Sequence, residues 1–277
     1  MSTSIVLLAL FAAILHASWN AFLRSGADRF WMMTVMNLAI TVAALPVALA
    51  LPLPIAAAWP YIIGSSVFQL AYGLLLVAAY RHGELGQVYP IIRGSAPLLV
   101  TATSFLWIGE VLHPLATLGV CLIVLGIVTL ALGKGKASGT SMLFALATGV
   151  AIAGYSTVDA IGIRIAGDRV SYIAWVFILP GPMLTAAYMA MRGPLRVDIR
   201  STETRKAIAG GMVSLCSYGT VLIAYSMAPA GPVSALRETS VVFAALIGWR
   251  FLGERLTPKR IVACIVVAAG AVLIGVS

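Results

Sequence analysis

The chain has 277 residues, of which 61% are hydrophobic and only 10% charged, with a mean hydropathy of +1.03. That composition excludes a water-soluble domain and places the chain among polytopic helical membrane proteins. The formal net charge is +9, but the basic residues scatter through short loops and form no stripe interleaved with aromatics, which excludes nucleic acid as a partner.

Ten apolar runs follow in chain order, at about 4–23, 31–51, 58–80, 87–107, 114–132, 140–163, 171–191, 205–227, 231–252 and 258–276. Each is long enough to cross a bilayer, and the connections are short. Turn residues punctuate them: Pro52 and Pro54, Gly83 and Gly86, Pro114, Gly133 to Gly139, Gly193-Pro194, Pro229 to Pro232, and Pro258. The first run lacks a charged leader and a small-residue cleavage site, so it is expected to stay as a span. Cys121, Cys216 and Cys264 each fall inside an apolar run without metal or redox spacing, so neither disulfides, metals nor cofactors are expected.

Two of the runs carry an arginine well inside them. The fourth reads Val88-Tyr89-Pro90-Ile91-Ile92-Arg93-Gly94-Ser95-Ala96-Pro97, and the ninth Val233-Ser234-Ala235-Leu236-Arg237-Glu238-Thr239-Ser240. An ionisable group at that depth costs on the order of 3 kcal/mol and marks a polar cavity or a partner.

These two runs also reveal an internal repeat. Ala79-Tyr80, Gly86 and Val88 correspond to Ala224-Tyr225, Gly231 and Val233 at an offset of 145. After a one-residue slip, Arg93 matches Arg237, and Gly109-Glu110-Val111-Leu112-His113-Pro114 matches Gly253-Glu254-Arg255-Leu256-Thr257-Pro258. Earlier, His16 and Asn20 lie against Tyr155 and Asp159. The chain therefore reads as two five-helix units, 1–135 and 136–277, forming one transport domain. Five is odd, so the second unit enters the membrane from the opposite side. Such inverted repeats place a shared site near the midplane. The expected fold class is an all-α polytopic membrane protein with ten transmembrane helices as two inverted five-helix repeats.

Ten helices in two inverted halves, with G-E-x-L-x-P closing the fourth and ninth, resemble the drug/metabolite transporter superfamily, EamA type. The resemblance covers essentially the whole chain. It implies a solute carrier whose cavity is lined by spans 1, 3, 4, 6, 8 and 9, with spans 5 and 10 peripheral. Members of that superfamily carry amino acids, metabolites, nucleotide sugars or drugs, so the resemblance names no substrate.

Orientation follows from charge. The odd-numbered loops hold 14 Lys and Arg and the even-numbered ones only Arg164 and Arg169. The positive-inside rule then puts both termini outside, opposite to the arrangement the resemblance implies for many members. The expected location is the bacterial inner membrane, with the protein acting as a monomer in the lipid bilayer.

The candidate substrate-binding residues are His16, Trp19, Asn20, Gln69, Tyr72, Tyr89, Arg93, Tyr155, Ser217, Tyr218, Ser234 and Arg237. Tyr89, Arg93 and Pro97 share one helix face. Proline frees a carbonyl, so the fourth span is expected to be locally open, with the Arg93 guanidinium reaching the cavity. A fork of donors suits a carboxylate or phosphonate; the alternative is that Arg93 pairs with Asp159 or Glu238. Arg237 and Glu238 are adjacent and point about 100° apart, so each is expected to reach another helix, and the ninth span is expected to be regular. Glu238 and Asp159 are candidate proton carriers, because apolar surroundings penalise a charged carboxylate. The alternatives are a permanent Arg93–Glu238 salt bridge and an interfacial Asp159 beside Arg164. Gln69, Tyr72, Gly73, Leu76 and Tyr80 form one stripe, and Ser214, Ser217, Tyr218, Val221 and Tyr225 form its counterpart. Either could line a cavity or serve interhelical hydrogen bonding. Glu110 and Glu254 are expected to be structural, meeting loop cations and the N-terminus of the following helix. Gly119, Gly126 and Gly133 recur every seven residues as a close-packing face.

No metal-ligand set, phosphate loop or G-x-S-x-G elbow supports an enzyme. The expected function is secondary active transport of a small anionic or zwitterionic organic solute by alternating access, with protons a candidate coupling ion. The alternative is an exporter of cationic amphiphiles using Glu238 or Asp159.

Overall fold

The computed structural model describes residues 1–82, 85–131, 138–252 and 257–277, and within these all side chains except those at 24, 25, 80, 81, 85–87, 89, 131, 247, 248 and 250–252. Twelve helices follow in order: α1 (Thr3–Ser25), α2 (Arg29–Ala50), α3 (Trp59–His82), α4 (Leu85–Thr103), α5 (Pro114–Ala131), α6 (Gly139–Ile165), α7 (Arg169–Ile178), α8 (Pro180–Arg192), α9 (Thr202–Tyr225), α10 (Ala230–Glu238), α11 (Ser240–Leu252) and α12 (Pro258–Gly275). A 3₁₀ turn, Ala56–Ala58, leads into α3, and a π turn, Ser104–Ile108, ends α4. No strand occurs among the described residues.

The helices form because each run is apolar for the thickness of a bilayer and must satisfy its backbone internally. Their starts are set by short polar side chains that accept from the first free N–H groups. Asp28 caps α2, Ser138 caps α6, Asp168 caps α7, Ser201 caps α9 and Thr257 caps α12. Among the described residues, eight stretches are long and apolar enough to cross a membrane. The 18-residue α5 and the pair α10–α11 complete ten spans, with α7 and α8 together making the seventh. The chain is an all-α polytopic membrane protein of ten spans in two inverted five-helix repeats.

Packing does not follow the order of the chain. α1 lies chiefly against α9, with α10 and α11 beside it, while α6 lies chiefly against α3 and α4. Each of these two groups therefore draws helices from both repeats. α2 packs on α7, α8 and α9 along the flank.

Outside both groups, α5 packs along α12. The seven-residue glycine spacing is the reason: a Cβ on Gly119 would come within 2.6 Å of the Gly270 carbonyl oxygen, and one on Gly126 within 2.9 Å of that of Ala263. The third glycine of the series, Gly133, lies outside the described residues. Gly270→Val should force α5 and α12 apart and cost about 1–3 kcal/mol, read as a lower melting temperature in detergent.

Candidate functional site

The ninth span breaks in its middle, between α10 and α11. Thr239 there donates its backbone N–H to Leu236 O at 3.1 Å and its hydroxyl to the same carbonyl at 2.7 Å. A threonine hydroxyl competing for a carbonyl bends a helix, and this tight turn follows directly on Arg237 and Glu238. Arg237 Nε and Nη2 both donate to Glu238 Oε1, at 3.3 and 3.1 Å. Arg93 Nη1 reaches the same oxygen from α4 at 3.4 Å. All three side chains are buried.

This arrangement corrects two expectations. Arg237 and Glu238, although adjacent, do meet: both lie in the last turn of α10, and the long Arg237 side chain folds back onto the carboxylate. The ninth span is interrupted, as the seventh is at Leu179, while α4 runs unbroken through Pro90 and Pro97. A proline removes one backbone bond, and α5, α6 and α10 hold α4 on its other sides.

Beside the ion cluster lies a cavity of about 920 Å³ of empty space, its open mouth included. Its polar wall is made by His16, Trp19, Gln69, Tyr72, Tyr155, Tyr218 and Arg237, with Asn37 and Ser214. Seven of the predicted residues thus share one wall. The aromatic rings interlock edge to face: Tyr155 meets Tyr72 at 6.0 Å and Tyr218 at 5.5 Å between centroids. Trp19 Nε1 donates to His16 Nδ1 at 3.2 Å, which leaves the imidazole hydrogen on Nε2. That Nε2 is buried and has no hydrogen-bond partner.

Other predicted residues stand behind the wall. Asn20 donates to the His16 carbonyl at 2.8 Å, and Ser217 to that of Ala12 at 2.9 Å. Ser234 is fully buried without a partner of good geometry. Asp159 is buried on α6 and accepts from Tyr172 at 3.0 Å and from Tyr218 at 2.6 Å. It does not pair with Arg164, which binds Glu110 at 2.6 Å. Glu110 also meets a helix N-terminus, but that of α10 and not of the following α5: its Oε2 accepts from Ala230 N at 2.9 Å. The side chains of Tyr80 and Tyr89, and all of Glu254, lie outside the described residues.

Arg237 lines the cavity wall, and Arg93 does not.

The EamA-like transporter family matches residues 3–132 and 139–276. The chain belongs to that family. A solved structure described only as the crystal structure of a protein has the same fold, with a TM-score of 0.77 and 18% identity over 99% of this chain and 96% of that one. No curated protein matches the sequence. Membership in the EamA-like family makes the chain a multi-pass membrane transporter of a small solute and not an enzyme.

Within this EamA-like cavity, spans 2 and 7 add wall beside the spans the resemblance implied. Met33, Met36, Asn37 and Ile40 come from α2, and Phe177, Pro180 and Leu184 from the seventh span. Among the described residues none of α4 lines it. Spans 5 and 10 are peripheral, as the resemblance implied. The α2 residues sit at i, i+3, i+4 and i+7, so the lone Asn37 in an apolar run was the signal that could have found that face.

Proposed function

We propose that this EamA-like protein is a secondary active transporter for a small anionic or zwitterionic organic solute, held at the central cavity and moved by alternating access. The observation that carries this reading is the chemistry of the polar wall. Its fixed charge is the Arg237 guanidinium, and its unpartnered polar group is a donor, His16 Nε2–H. A carboxylate or phosphonate satisfies both, because charge-assisted bonds are the strong ones. Aromatic and methionine side chains around them suit a short organic body. The repeats 1–135 and 136–277 act as one transport domain, and the bodies that rock are the α1/α9 and α3/α4/α6 groups. We place the chain as a monomer in the bacterial inner membrane with both termini outside.

A second reading rests on the five aromatic residues of the wall, Trp19, Tyr72, Tyr155, Phe177 and Tyr218. Such rings also hold cationic amphiphiles, with Asp159 behind Tyr218. Thermal-shift screening of purified protein with amino acids, aminophosphonates and quaternary amines separates the two. Stabilisation by the first two classes, followed by their flux in proteoliposomes, is the expected result. Stabilisation by quaternary amines alone would overturn the anionic reading.

For coupling, Asp159 is the better candidate than Glu238. Glu238 is held by two guanidiniums, while Asp159 is held by two neutral hydroxyls, one of them on the cavity-lining Tyr218. Asp159→Asn should therefore abolish accumulation driven by a pH gradient and preserve exchange of bound solute. Gradient-driven accumulation at the parental level in Asp159→Asn would remove proton coupling through this residue.

A further inference from the structure

The cavity lies at mid-depth and extends to Leu23 and Met33, toward the Gly26–Asp28 turn. Its seventh-span residues run from Phe177 to Leu184, toward the 193–201 loop. At the opposite end the two packing groups are tied together. The π turn after α4 closes on Gly109, whose φ of 73° is the left-handed conformation that glycine adopts freely. That turn presents Glu110 to Arg164, at the end of α6. Both belong to the α3/α4/α6 group. From there Glu110 accepts from Ala230 N at 2.9 Å, and Arg164 donates to the carbonyls of Tyr225 at 2.9 Å and Ala228 at 2.8 Å. These three acceptor and donor groups lie at the junction of α9 and α10, in the other group. Two further polar ties join the groups at mid-depth, Arg93 to Glu238 and Tyr218 to Asp159.

Between this clasp and Arg237 lies a second polar set, which the cavity does not include. Ser156 on α6, Tyr225 on α9 and Ser234 on α10 are fully buried. Their hydroxyls lie close enough to interact, yet none has a partner of good geometry. A buried hydroxyl without a good partner is costly, and here three lie together, drawn from both groups. They continue the polar line of the cavity wall toward the clasp.

We propose that Ser156, Tyr225 and Ser234 line the closed half of the transport route, and that the Glu110–Arg164 clasp holds that half shut. When the clasp parts, the same hydroxyls become the polar wall of a cavity open at the other end, and the solute passes from Arg237 along them. This assignment rests on the transport reading above and adds residues to it.

The test is thiol labelling of the full chain in oriented membrane vesicles, with Cys121, Cys216 and Cys264 replaced by alanine. The probe is a membrane-impermeant methanethiosulfonate bearing a quaternary ammonium. Asn37→Cys reports the open cavity and should react only from the side of the 193–201 loop. Ser156→Cys and Ser234→Cys should resist from both sides. Adding Glu110→Gln, which keeps the shape but removes the charge, should speed labelling of both from the opposite side by about tenfold or more, and slow that of Asn37→Cys. Arg164→Lys keeps the charge but loses the fork onto two carbonyls, and should shift the same three rates to a smaller extent. It decides the matter if Glu110→Gln fails to elute as a single folded species. Slower labelling of Asn37→Cys with Ser156→Cys and Ser234→Cys still inert would show that the bundle had rocked without opening this route, and would overturn the assignment. Unchanged rates at all three positions in both clasp variants would also overturn it. An Asn37→Cys that is inert from either side with Glu110 intact would instead remove the cavity reading on which the proposal stands.

Discussion

Glu238→Gln should unfold at markedly lower temperature or denaturant concentration than the parent protein, with a loss of about 3–5 kcal/mol. The reason is the sharing of one carboxylate oxygen. Glu238 Oε1 takes bonds from Arg93 and from Arg237, and all three side chains are buried. Removing the negative charge leaves two guanidiniums close together in apolar surroundings, where neither water nor salt screens them well. Taking away the whole cluster should be milder than taking away its centre. Glu238→Leu combined with Arg93→Met and Arg237→Met should recover most of the lost stability, since no charge is then stranded. Unfolding in detergent, followed by intrinsic fluorescence, checks both variants side by side. A Glu238→Gln protein as stable as the parent would mean that the cluster carries no net ion pairing.

Arg237→Lys should weaken binding of the stabilising anionic solute by about ten- to a hundredfold, the worth of one charge-assisted bond. The charge survives, but a compact ammonium cannot hold Glu238 and offer a second edge to a carboxylate at the same time. Arg93→Lys should leave affinity nearly unchanged and lower stability, because Arg93 stands outside the cavity wall and is tied to Glu238. Calorimetric titration of both variants separates the two arginines. Equal losses of affinity would place Arg93 in the binding site after all.

Much of this architecture can be read before any coordinates are seen. Lipid offers no partner for a bare backbone, so length and apolarity alone locate the spans. Two G-E-x-L-x-P strings at matched positions disclose the repeat. The repeat in turn draws attention to His16, Tyr72, Tyr155, Tyr218 and Arg237, which do share a wall. The division of labour between Arg93 and Arg237 could not be read in this way. It depends on where a helix yields, and proline is a poor guide when neighbouring helices brace it, as they brace α4. Thr239 yields instead, through a side chain that competes with its own backbone. The share of α2 and of the seventh span in the wall was hidden for another reason. Met33, Met36 and Ile40 are apolar, and an apolar residue facing a cavity looks the same in a sequence as one facing lipid.

The exchange of helices between repeats also sets a timetable for synthesis. α1 finds its main neighbour in α9, whose first residue, Thr202, is made 177 residues after Ser25. At about 5–20 residues per second, the first helix waits on the order of ten seconds or more in the bilayer before its partner is made. Until then its small and polar face, with His16 and Asn20, has only lipid, translocation machinery or chaperones to meet. The newborn amino-terminal half is therefore a client of the insertion apparatus, and the protein commits to its native form only when its last third emerges.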